Sequence, residues 1–226
     1  RQMCIRDSEK PLQDEPKQRF LTEVELVALL PTLKIHHGLC AKFMLLTAPR
    51  ISEATAATWS QIDLGAKTWT IPPENIKDTR TLSARRKKAK QALVIPLSWQ
   101  AIQLLQGMRE AKVERQRLNG LPEEIHSDDL LFVGPKGAKL SNWDRWLKKT
   151  AAETGVTGWS AHALRRTTAT LAGDLGAAPH IVSAILGHSN IGGQLVAGYN
   201  QSAYGSEHQQ ILQHVADKLE TLENGV

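Results

Sequence analysis

The stretch Ala161-His162-Ala163-Leu164-Arg165-Arg166-Thr167 decides how this chain is read. Ser160 stands just before it, where a helix cap belongs, so the spacing predicts a helix here. Residues three apart share a helix face, which puts His162 beside Arg165. Taken alone, the pair fits an ordinary surface helix. The rest of the chain changes its meaning. Downstream, Leu186-Gly187-His188-Ser189 brings a second histidine just past a predicted helix that Pro179 opens and Gly187 ends. Tyr199 comes next, one of two tyrosines in the chain, the other being Tyr204. Far upstream, Arg50 opens the run Arg-Ile-Ser-Glu. Two arginines, two histidines and a late tyrosine suit one kind of chemistry. Guanidinium groups clamp a phosphodiester, imidazoles handle protons, and a phenol attacks phosphorus.

Around these residues the pattern is mostly helical. Thr22 and Glu25 form a capping-box pair ahead of an apolar run to Leu30. Residues 35–47 and Ile51 to Trp59 read as two further helices, the latter opened by Ser52 or by the Pro49-Arg50 corner. Three short segments, Ile62 to Leu64, Thr68 to Ile71 and Ala92 to Ile95, are β-branched or apolar and bounded by Gly, Pro and charge. They are predicted to form a small antiparallel sheet. Between the last two lies a very basic stretch from Lys77 to Lys90, too polar for core. Ser98 caps a predicted helix to Leu118. Leu130 to Val133 reads as extended, before a turn at residues 134–137. Ser141 is expected to cap a helix that Gly155 ends. The final helix is expected over Glu207 to Leu222, with Ile211, Leu212, Val215, Leu219 and Leu222 on one face. The fold class that results is mainly α with a small antiparallel β-sheet (α+β).

The chain has 226 residues, enough for one sizeable core. Residues 1–20 are polar, carry two prolines and read as a linker or a non-native segment, leaving 21–226 as the folded domain. The net charge of +5 suits a polyanionic partner without proving one. Two cysteines, Cys4 and Cys40, are too few for a disulfide scaffold and point to a reducing compartment, with the cytoplasm as the default. No apolar run is long enough to span a bilayer, so no membrane role is expected. His36, His37 and Cys40 lack further ligands at useful spacing, so no metal site is expected. Trp59, Trp69, Trp143, Trp146 and Trp159 read as core or boundary residues.

Order and spacing together resemble the catalytic domain of the tyrosine recombinase (phage integrase) family from about Phe20 onward. Thr47-Ala48-Pro49-Arg50-Ile51-Ser52-Glu53, then Trp59 and Ile62-Asp63, looks like its first arginine box. Trp69-Thr70-Ile71-Pro72 and Val94-Ile95-Pro96-Leu97-Ser98 look like the strands around its lysine hairpin. His162 to Arg165 looks like the His-x-x-Arg box, and Leu186 to Ser189 with Tyr199-Asn200 looks like the closing box. The chain departs from the family where Ala48-Pro49 replaces a glycine-containing approach to the first arginine. The gap from His188 to Tyr199 is slightly longer than in many relatives, and the basic stretch exceeds a usual hairpin turn.

The resemblance implies a site-specific DNA recombinase, the integrase of a prophage or mobile element, working through a 3′-phosphotyrosine link. Alternatives are a resolvase-type recombinase of the same family or an inactive DNA-binding module with this fold. Arg50, Arg165 and His188 would contact the non-bridging phosphate oxygens, Tyr199 would attack, and His162 would take its proton. Tyr204 is the backup nucleophile. A hairpin lysine would protonate the leaving 5′ oxygen. Counting forward from the first strand selects Lys77, counting back from Pro96 selects Lys88, and the ungapped forward count slightly favours Lys77. Arg80, Arg85, Arg86, Lys87, Lys90 and Arg166 would contact DNA. Glu53 would either orient Arg50 or face solvent. The scheme calls for no metal and no cofactor. Implied partners are double-stranded DNA, a homotetramer on DNA formed from a monomer free in solution, and an accessory DNA-bending protein. The chain is expected to be a fragment without the family's amino-terminal core-binding domain. Its last helix is expected to pack either on its own domain or on a neighbouring protomer.

Overall fold

The computed structural model describes residues 19–76, 92–135, 137–187 and 201–225, with side chains of the last stretch described from 205. The chain is mostly helical, with one small antiparallel sheet, in agreement with the predicted class.

Helix α1 spans Glu23–Leu29 and is capped as the sequence predicts, with the Thr22 hydroxyl accepting from the Glu25 N–H and Glu25 accepting from the Thr22 N–H. One 3-10 turn over Leu30–Thr32 absorbs Pro31. Helix α2, His37–Thr47, is the central rod, and nearly every residue from Gly38 to Thr47 is buried. Gly38 is needed there, since a Cβ would lie 2.8 Å from the Leu33 backbone. Helix α3, Ile51–Thr55, is shorter than predicted. It stops because Thr58 leaves the helix to bridge Leu130, and a 3-10 turn over Trp59–Gln61 comes after it.

Strands β1 (Ile62–Asp63), β2 (Thr68–Ile71) and β3 (Leu93–Pro96) pair in the order β1-β2-β3, all antiparallel. Trp69 stands opposite Ile62 on one side and Ile95 on the other. Along β2 the residues alternate between buried and half-buried, the period-two pattern of a sheet with one face on the core. Trp69 fills that face, 5.1 Å from the Phe43 ring of α2, and its indole N–H donates to Gln61.

Helix α4 spans Trp99–Leu118, capped by Ser98. Helix α5, Trp143–Thr154, does not use the predicted Ser141 cap. Its cap is Asn142 in the left-handed conformation, a backbone state that asparagine tolerates better than most residues, while the Ser141 carbonyl pairs with the His37 ring at 2.7 Å. Helices α6 (Ala161–Asp174) and α7 (Pro179–Ile185) fall where predicted. Helix α6 lies along α2, and the Thr168 hydroxyl donates to the Leu45 carbonyl at 2.8 Å.

Helix α8, Gln201–Asn224, is longer than the predicted Glu207 to Leu222. It packs on its own domain, against α1, α2, α4, α6, α7 and β3. Leu212, Val215, Ala216 and Leu219 are buried there, with Lys218–Glu23 and Lys42–Glu223 ion pairs at the edges. Of the two expected arrangements, the structure shows packing on the helix's own domain. Its apolar stripe is already covered within the chain.

Candidate functional site

Arg50 sits at the left-handed corner that ends α2. Ala48 has φ 51° and ψ 35°, and its N–H closes α2 on the Met44 carbonyl. An Ala in this conformation costs about 1–2 kcal/mol, and after Pro49 the backbone is extended at Arg50, the cap residue of α3. Glu53 holds both the backbone and the side chain of Arg50. Its carboxylate accepts the Arg50 backbone N–H at 2.7 Å and the Arg50 Nη1 at 2.9 Å. Glu53 is 1% exposed, so its role is to orient Arg50, not to face solvent. The sequence signal is its place three residues after the cap, where capping-box carboxylates sit.

Arg165 is buried on α6, 4% exposed. Its Nη1 donates to the Ala48 carbonyl at 2.5 Å and its Nη2 to the Leu186 carbonyl. One guanidinium therefore joins the corner before Arg50 to the turn before His188. The Ala48 carbonyl is buried and the Leu186 carbonyl half-buried, backbone acceptors that sequence motifs do not reveal. Burial and the neighbouring Arg50 charge bring the Arg165 guanidinium down to about 10, with Glu53 opposing. It stays charged at neutral pH. A guanidinium carries five N–H donors, so two carbonyl bonds leave donors for a ligand.

His162 lies at the surface one turn before Arg166 on the same helix face. Partial burial of its ring, with the charges of Arg166, Arg165 and Arg50 adding to it, holds the imidazole below its usual value. It is therefore neutral near pH 7 and able to accept a proton. The same shift shows that the four groups share one electrostatic neighbourhood. Among the described residues the carboxylate that meets these groups is Glu53, against three guanidinium groups, so this part of the site is positive.

Gly187 closes α7 with φ 56°, and a Cβ built on it would lie 2.8 Å from Leu93 Cδ2. The turn leading to His188 thus rests directly on β3. Of the predicted site residues, the structure brings Arg50, His162, Arg165 and Arg166 together. His188, Tyr199, Lys77, Lys88, Arg80, Arg85, Arg86, Lys87 and Lys90 lie outside the described residues, as does the Tyr204 side chain.

His36 and His37 pair with the backbone carbonyls of Val133 and Ser141, and Cys40 is buried in the core with its thiol pushed up by desolvation. No group of three His, Cys, Asp or Glu residues is positioned for a metal among the described residues. Trp69 and Trp159 are buried, while Trp143 and Trp146 pack edge-on at 5.4 Å beside His37. None of the described helices is long and apolar enough to cross a membrane.

Prophage integrase IntA of Escherichia coli (strain K12) is 27% identical over 203 residues, covering 89% of this chain and 43% of that protein. The chain thus spans less than half the length of this curated relative. Solved structures share the fold. The XerA recombinase superposes with a TM-score of 0.56 at 16% identity, over 86% of this chain and 64% of that one. The Tn1549 transposon integrase, solved with a circular intermediate DNA, gives 0.58 at 19% identity, over 80% and 61%. The integrase from mycobacterium phage Brujita gives 0.56 at 16% identity, over 94% and 65%. The phage integrase family pattern matches residues 19–205, which takes in Arg50, His162, Arg165, His188 and Tyr199. The chain belongs to the phage integrase family.

Proposed function

We propose that this chain is the DNA-cleaving and rejoining domain of a site-specific recombinase, the integrase of a prophage or related mobile element. The observation that carries the reading is the cluster of Arg50, held by buried Glu53, Arg165, held by the Ala48 and Leu186 carbonyls, and His162 near both. The similarity to a prophage integrase favours integration and excision over the resolution of chromosome or plasmid dimers.

A phosphodiester resists attack because its negative charge repels nucleophiles. Arg50 and Arg165 offset that charge on the non-bridging oxygens and stabilise the extra charge of the transition state. Guanidinium suits this because it stays charged and offers paired planar donors. His188 adds a donor in the same place. Tyr199 attacks phosphorus while His162 takes its phenolic proton, and the bond to the 5′ oxygen breaks. Lys77 or Lys88 gives that oxygen a proton. The phosphotyrosine link conserves the bond energy, so the 5′ hydroxyl of another strand can reverse the step. Double-stranded DNA in the cytoplasm is the substrate. Four copies assemble on it from free monomers, with a DNA-bending protein as the accessory partner.

The experiment is covalent trapping on a nicked duplex bearing the element's own attachment sequence. Wild-type protein should form an adduct, and Tyr199→Phe should form none while still binding DNA. An adduct that survives Tyr199→Phe and disappears in Tyr204→Phe would move the nucleophile. No adduct with wild type would overturn the reading.

A further inference from the structure

Arg166 is the positively charged group of the site that this chemistry does not employ. It comes directly after Arg165, so the two side chains leave α6 about 100° apart. Arg165 turns inward to the Ala48 and Leu186 carbonyls. Arg166 is half-buried on the face that carries His162. It makes no hydrogen bond and no ion pair with any described residue, and the one carboxylate of the cluster, Glu53, is engaged by Arg50. A half-buried guanidinium one turn from His162, with no acidic partner among the described residues, has its donors available to an anion. Beyond Arg166 the outer face of α6 continues through Ala169, Thr170 and Gly173, small residues that leave the guanidinium open to an extended ligand.

One phosphodiester carries one negative charge, and Arg50 with Arg165, less the charge of Glu53 paired to Arg50, already balances it. A third guanidinium exceeds what the scissile phosphate can satisfy. We propose that Arg166 forms a second anion subsite that holds a phosphate of the same DNA strand next to the one that reacts. The proposal rests on the recombinase reading and adds to it. The strand is gripped at two phosphates from one helix, so its backbone is set in register before Tyr199 attacks. Arg166 contacts the backbone and reads no base, so its effect is independent of sequence.

The test is the salt dependence of binding to a mixed-sequence duplex, from about 50 to 200 mM, which requires no cleavage. Each phosphate neutralised contributes about −0.9 to the slope of log K against log salt. Arg166→Gln should make the slope shallower by about 0.9, and Arg166→Lys should keep it, with both variants melting as the wild type does. An unchanged slope in Arg166→Gln overturns the subsite, and so does an equal loss in Arg166→Lys, which would mean damage to the helix. Absence of any salt-dependent binding in the wild type overturns it too. The recombinase reading stands or falls separately, on the Tyr199-dependent adduct.

Discussion

Arg165 and Ala48 are joined by a hydrogen bond from the buried guanidinium to a backbone carbonyl, and this bond ties helix α6 to the corner that presents Arg50. A residue assigned to the substrate is thus also a strut. Removing it leaves the carbonyls of Ala48 and Leu186 without their donor, at about 1–3 kcal/mol for each buried acceptor left unpaired. Arg165→Ala should therefore lose stability as well as cleavage, and Arg165→Lys should recover only part of either, since one ammonium cannot span both carbonyls and a phosphate. Urea denaturation combined with an adduct assay separates the two losses. A variant as stable as wild type would show that the strut is dispensable.

Glu53 acts through Arg50. Glu53→Gln keeps the shape but gives up the ionic partner of Arg50 Nη1. A charge-assisted bond of about 1.5–3 kcal/mol corresponds to roughly 10- to 100-fold in rate if it is used wholly for positioning. Cleavage should fall within that range while DNA affinity changes little. Unaltered single-turnover cleavage would sink the positioning role.

His208 on α8 is buried, its Nε2 has no hydrogen-bond partner among the described residues, and burial pulls it from 6.5 down to about 4. In the unfolded chain the same ring takes a proton near 6.5. The stabilisation is therefore fully present above pH 6.5 and is lost as pH falls toward 4, by at most about 3.5 kcal/mol at roughly 1.4 kcal/mol per unit. His162, also held low, acts in the same direction. Melting temperature should drop steeply across that window, and His208→Met should flatten the drop. An equally steep acid profile in His208→Met would assign the acid sensitivity elsewhere.

Helix α8 completes the core. Leu212 is fully buried, so Leu212→Ala should cost about 2–5 kcal/mol. Deleting Glu207 to Val226 should yield an unfolded or aggregated chain, because Leu29, Leu30 and Leu45 sit in the same core as the residues removed. Circular dichroism and size-exclusion chromatography check this. A soluble, cooperatively melting truncation would contradict the packing described.

The proton donor can be assigned with a 5′-bridging sulfur substrate, whose leaving group needs no proton. Lys77→Ala should be slow on ordinary DNA and rescued on the sulfur substrate, with Lys88→Ala little affected. The reverse pattern would transfer the role to Lys88.

The helices are legible in the sequence because their signals are local. Thr22 and Glu25, Ser98, and Pro179 each mark a boundary through chemistry within one turn. Sequence and structure part where a distant partner decides. Thr58 ends α3 early because it bridges Leu130, and Ser141 fails as a cap because Asn142 takes the left-handed state. The Ala48-Pro49 departure has a physical account. Ala48 adopts the left-handed conformation that glycine accepts without strain. At the site, residue types and order point to Arg50, His162 and Arg165. The carbonyl partners of Arg165 lie 117 and 21 residues away in sequence, and such contacts, like the burial of Glu53, are not encoded in any local pattern.

The seating of α8 against α1 also has a kinetic side. The Lys218–Glu23 pair joins opposite ends of the described chain. Contacts so distant in sequence require the largest loop to close before they contribute, which slows folding relative to helix pairs that are neighbours in sequence. During synthesis α1 and α2 emerge long before the helix that covers them, with Leu26, Leu29 and Leu30 bare in the interval. That bare apolar surface makes the nascent chain prone to aggregation until α8 arrives.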